Sequence, residues 1–78
     1  MIEKGTLCYL FKANRDNTKR VYHRTYPDIS CEGDERWNSP RKDIAGCFTK
    51  GKWQKRAEKW EFNQGWMLES INGEVEAL

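Results

Sequence analysis

Short runs of apolar and β-branched residues, separated by turn-rich stretches, dominate the chain and read as strands. Residues 6–12, TLCYLFK, are rich in β-branched and aromatic types. Residues 13–18, ANRDNT, form a turn-rich connection, and residues 19–26, KRVYHRTY, read as the returning strand. With the loop at 13–18, Lys12 faces Lys19, Leu10 faces Val21, Tyr9 faces Tyr22 and Cys8 faces His23. Cys8, Leu10, Val21 and His23 then share one face, and a one-residue slip would invert the arrangement. Residues 27–43, PDISCEGDERWNSPRKD, form the longest irregular segment, punctuated by Pro27, Gly33 and Pro40. Within it SPRKD fits a short helix, with Ser39 as N-cap, Pro40 in the first turn and Gly46 as its stop.

The last third supports two readings. As a helix, residues 52–64 put Trp53, Ala57, Trp60 and Gln64 on one stripe, while Phe62 points the other way. As strands, it uses NQG at 63–65 as a three-residue loop and NG at 72–73 as a two-residue loop. Phe62 then lies opposite Trp66, Trp60 opposite Leu68, Leu68 opposite Ala77 and Ser70 opposite Val75. Trp60, Phe62, Trp66, Leu68, Val75 and Ala77 share one face; Glu61, Glu69, Glu74 and Glu76 share the other. The strand reading uses six apolar positions against three for the helix and is preferred. A further hairpin around Lys50 and Gly51 sets Phe48 across from Trp53, and a helical turn within 53–59 stays open. The expected architecture is one β-rich domain over 1–78, all-β or α+β. It is a small curled antiparallel sheet or barrel of five to six short strands with at most one or two short helical turns.

Composition narrows the function classes. A chain of 78 residues has a thin core, about 60–65% of its unfolded surface being buried on folding. Its ten aromatic residues therefore matter individually, and self-association stays open. The start, MIEKGTLCYLFK, has only a short apolar run, too short for a signal segment or a membrane span. Three cysteines, an odd count, fit reduced thiols in the cytoplasm better than a secreted disulfide framework. No membrane partner is expected.

Catalytic and metal chemistry find little support. Cys8, His23, Cys31 and Cys47 make a Cys3His set on paper, but no C-x2-C pair aims two ligands at one ion, so no metal is expected. A single histidine and no nucleophile signature argue against cysteine catalysis. The acids of CEGDE, residues 31–35, read as a solvated turn, with a loose divalent-cation contact at Asp34 and Glu35 left open. No phosphate-cradling glycine motif is present, and no cofactor is expected. GTLCYLF, HRT, EGDERWNSP and GCFTKG, in that order, resemble the N-terminal half of Nudix hydrolases. Laid from Gly46, however, the Nudix box meets Lys52 where its first glutamate belongs and Trp60 where its arginine belongs. Glu61 matches, but Gln64 and Gly65 stand where the metal-binding glutamates should be, so no activity carries over.

Charge is the positive signal. Residues 36–59 hold eight basic and two acidic side chains, net +6, whereas 61–78 hold four glutamates and no base, net −4. Such segregation gives a folded surface a field, unless glutamate strands lying beside the lysines cancel part of it. The expected function is that of a small non-enzymatic binding or regulatory protein, docking on a protein or nucleoprotein. By analogy of size, such domains include inhibitors and accessory proteins of phages and mobile elements. The alternative is nucleic-acid binding by the same surface. The expected contact residues are Arg36, Trp37, Arg41, Lys42, Lys50, Lys52, Trp53, Lys55 and Arg56.

Overall fold

A computed structural model describes residues 1–16, 18–60 and 65–78, with all their side chains except those at 34, 35 and 60. In chain order it has strands β1 (Leu7–Ala13), β2 (Arg20–His23), β3 (Asn38–Ser39) and β4 (Cys47–Thr49). Helix α1 (Lys50–Trp60) and strands β5 (Met67–Ser70) and β6 (Val75–Ala77) follow. Two 3₁₀ turns, Gly33–Arg36 and Lys42–Ile44, flank β3. The strands form one antiparallel sheet in the order β3-β2-β1-β5-β6, with β4 paired to β1 off this path. The sheet does not close into a barrel.

The β1–β2 hairpin pairs Phe11 with Tyr22, Lys12 with Val21 and Ala13 with Arg20. The expected register was therefore wrong by two residues, and Asn14 supplies the reason. Its side-chain oxygen accepts the Thr18 and Lys19 N–H groups at 3.0 and 3.1 Å, which draws residue 14 into the turn. Because side chains alternate with period two, a shift of two residues preserves the faces. Of the four residues expected on one face, Cys8, Leu10 and His23 are buried, whereas Val21 is 39% exposed.

At the other end, the β5–β6 register overturns the two-residue NG turn. Met67 pairs with Ala77, Leu68 with Glu76 and Glu69 with Val75. The loop is Ile71-Asn72-Gly73, with Gly73 at φ +90°. Ser70 closes it: its amide donates to Glu74 O at 2.8 Å, and its hydroxyl accepts the Asn72 and Glu74 N–H groups. One extra loop residue slips the register by one, so Glu76 takes the Leu68 face and Val75 the Glu69 face, the reverse of the expectation.

The largest correction concerns residues 50–60, which are helix rather than strand, so Trp60 is not paired with Leu68. Phe62, Glu61 and the Asn63–Gln64 part of the expected NQG loop lie outside the described residues. The helix former-rich run Lys52–Lys59 favours α1 locally. Lys50 N–H donates to Thr6 O and Gly51 N–H to Lys4 O, both at 3.1 Å, while Lys52 N–H reaches Thr49 Oγ1 at 3.3 Å. The helix thereby lays Trp53 over the sheet, where it joins Ile2, Cys8, Leu10 and Leu68 in the core, with Phe48, Trp66 and Leu78 packed around them. The expected Phe48–Trp53 contact exists, ring centroids 5.0 Å apart, but it joins a strand to a helix.

Ser39 does not cap a helix from Pro40 either. It lies in β3, its hydroxyl accepts the Arg41 N–H at 3.1 Å, and only the 3₁₀ turn Lys42–Ile44 follows. Gly46 is buried after that turn. Its N–H donates to His23 O at 2.9 Å, and a Cβ there would collide with the Thr25 methyl. Gly46→Ala is therefore expected to cost about 1–3 kcal/mol. Thermal unfolding should show a Tm lower by at least roughly 4 °C; an unchanged Tm would mean that Thr25 moves aside freely.

Candidate functional site

Internal pairing uses up part of the basic segment. Lys42 Nζ lies 2.5 Å from Glu69 Oε2, and Lys50 pairs with Glu76 while donating to Ile2 O at 2.8 Å. Arg41 pairs with Asp43 at 2.7 Å, and Arg36 Nε donates to Cys31 O at 2.8 Å. Trp53 is 0% exposed, so it belongs to the core and not to a surface. Of the nine residues expected to form one contact surface, the structure brings Lys52, Lys55 and Arg56 together on α1, with Trp37 just before β3.

These three form a larger set with Lys59, which the sequence reading left off its site. Residues 52, 55, 56 and 59 have the i, i+3, i+4, i+7 spacing of a single helix face. That spacing was visible in the sequence but meaningless while the segment was read as strand. Lys52, Lys55, Arg56, Glu58 and Lys59 line one open hollow, and Lys4 joins Lys52 and Lys55 along the next. Lys52 Nζ and the Arg56 guanidinium lie 4.3 and 4.5 Å from the Phe48 ring centroid. Phe48 thus supports two of the cations at the helix base. Among the described residues, no carboxylate lies within ion-pair distance of Lys55 or Lys59.

Beside this face stands an aromatic cluster centred on His23. The ring is 8% exposed and touches Trp53 and Trp66 edge-on, at 6.2 and 5.9 Å. Trp37 stacks on it nearly parallel, 6.2 Å away at 11°, and remains 43% exposed. Trp37 is held by its backbone: its carbonyl accepts the Arg24 N–H at 2.6 Å, and the next residue, Asn38, pairs with His23 across β2 and β3. Burial lowers the His23 pKa; the Asn38 contact opposes this and the Arg56 charge adds to it. The imidazole is therefore neutral at pH 7 and serves as a flat support for Trp37. The edge-on contact of Trp53 with His23 places the basic helix next to this stack.

The opposite sheet face holds a polar cluster that the sequence reading missed. Glu69, 5% exposed, accepts from Arg20 Nη1 at 2.5 Å, Tyr22 OH at 2.8 Å and Lys42 Nζ at 2.5 Å. Burial alone would push its carboxyl up, but the three donors outweigh burial and hold it below the ordinary glutamate value. The Tyr22 hydroxyl is pushed up by burial and by Glu69. A carboxylate so fully bonded acts as a strut joining β5 to β2 and to the 3₁₀ turn carrying Lys42. Sequence patterning put the glutamates on one face and left open that lysines beside them cancel part of the charge; only the fold brings Arg20 and Lys42 to Glu69.

Cys8 is buried, Cys31 half-buried and Cys47 exposed. Among the described residues, no group of three His, Cys, Asp or Glu side chains converges to hold a metal ion, and no helix is long and apolar enough to cross a membrane. Compared with family models, curated proteins and solved structures, the chain matches none.

Proposed function

We propose that the protein is a small, non-enzymatic binding protein of the cytoplasm that docks the basic face of α1 on an anionic surface of a larger macromolecule, a protein or nucleoprotein. Its mode of action is that of an inhibitor or accessory regulator, which works by occupying a surface. One observation carries this reading: Lys52, Lys55, Arg56 and Lys59 line one hollow on α1, four cations to the single carboxylate of Glu58. The internal pairs lower the net charge available to a partner, while Lys52, Lys55 and Lys59, with no carboxylate within ion-pair distance among the described residues, lie on one helix. Clustered cations of this kind steer encounter with an anionic partner and make association depend on salt.

Reversing Lys52, Lys55 and Lys59 to glutamate together should abolish capture of the partner retained by the wild-type protein from its native host. Exposed substitutions of this kind change stability by only about 0.5 kcal/mol each, so the thermal transition should stay close to wild type. Capture that survives the triple reversal would refute the proposed face.

A further inference from the structure

We infer that the anionic surface is an exposed single strand of nucleic acid, with one base lying on Trp37 and the phosphates on α1. This inference rests on the docking reading above and names its partner. Base stacking needs a flat aromatic ring held in place with part of its surface open. Trp37 meets that need: His23 backs it in a near-parallel stack, the Arg24–Trp37 backbone bond fixes its position, and 43% of it is exposed. Phosphate binding needs cations along the path of the strand. The stripe from Lys52 to Lys59 extends about 10 Å along α1, and Trp53 of the same helix packs edge-on, at 6.2 Å, against the His23 that supports Trp37. Cations beside a stacking platform are the combination that single-strand binders use.

Two further observations favour a strand over an acidic protein. An acidic protein surface would satisfy the lysines, but it would give the open Trp37 ring no flat partner. Two of the C-terminal glutamates, which would otherwise repel phosphate, are neutralised in place: Glu69 by Arg20 and Lys42, Glu76 by Lys50. A paired base within a duplex has both faces covered by its neighbours, so Trp37 selects unpaired bases.

The test uses the whole protein, a thymidine oligomer of about twenty nucleotides and a duplex of equal length, at about 50 and 200 mM salt. The single strand should bind more tightly than the duplex. Its affinity should fall with a log–log salt slope of about −2 to −3, and Lys55→Gln should reduce that slope by about 0.7. Trp37→Ala should weaken binding about 5- to 100-fold, and Trp37→Tyr, which keeps a ring, only a few-fold. Should the alanine variant not fold, Trp37→Leu against Trp37→Tyr makes the same comparison. No binding at low salt, a preference for duplex, or equal affinity of the ringless and wild-type proteins overturns the inference. Absence of oligomer binding, with partner capture still lost on charge reversal of α1, removes this inference alone. Capture and oligomer binding both unmoved by charge reversal remove the docking reading and this inference with it.

Discussion

Trp53→Ala is expected to leave the protein largely unfolded at room temperature. Trp53 is 0% exposed and is the largest fully buried side chain among the described residues, clustered in the core with Ile2, Cys8, Leu10 and Leu68. It also brings α1 into that core. Removing a buried indole costs about 3–5 kcal/mol, and a core of this size rarely supplies more than about 3–5 kcal/mol in total. The substitution also removes the indole N–H that donates to Cys8 O at 2.9 Å. Far-UV and near-UV circular dichroism should both collapse. Trp53→Phe separates the two contributions: it keeps a ring in the core but leaves the Cys8 carbonyl without that donor. It should fold with a loss of about 1–3 kcal/mol, measured by urea denaturation. An alanine variant with near-native Tm would show that the sheet does not depend on α1.

Glu69→Gln is expected to destabilise the fold by about 1–3 kcal/mol at neutral pH and to blunt its acid sensitivity. An amide occupies the same space but loses the charge that Arg20, Tyr22 and Lys42 converge on. The loss should be smaller than for a fully buried ion pair, because Lys42 is half exposed and Arg20 partly so, and both reach water once released. In the wild-type protein the Glu69 carboxyl titrates lower folded than unfolded. Its contribution is therefore complete above the unfolded value of about 4.3. It is lost as pH falls through the lower, folded value. Asp28, Asp43 and Glu76 are shifted the same way by their own partners, so the acid limb should be reduced and not abolished. Denaturation at neutral and acid pH checks this; a variant with wild-type pH dependence would show that the cluster does not form.

What could be read in advance followed from period-two alternation. Cys8, Leu10 and His23 of the expected group are buried even though the hairpin register was off by two, because a shift of two leaves every side chain on its face; Val21, the fourth, is exposed. Val75 and Ala77 were grouped with Leu68 wrongly because a single extra loop residue reverses that grouping. The deciding groups in both hairpins are side chains bonded to turn amides, Asn14 Oδ1 and Ser70 Oγ. A residue type does not announce which amide its oxygen will reach.

Alternation, aromatic content and turn residues by themselves determined a small β-rich domain, and the charge count alone marked 36–59 as the basic segment. Only the tertiary structure decided what that segment is. Its residues suit a helix locally and a hairpin by apolar count, and the choice fell to the core, which Trp53 fills from a helix lying across the sheet. The same packing divided the cations. Lys42 and Lys50 went to Glu69 and Glu76 because β5 and β6 present those carboxylates beside them, and Lys52, Lys55, Arg56 and Lys59 came to share a face because α1 turns once every 3.6 residues. Charge along a chain is additive, but charge on a surface depends on which opposite charges the fold brings within reach.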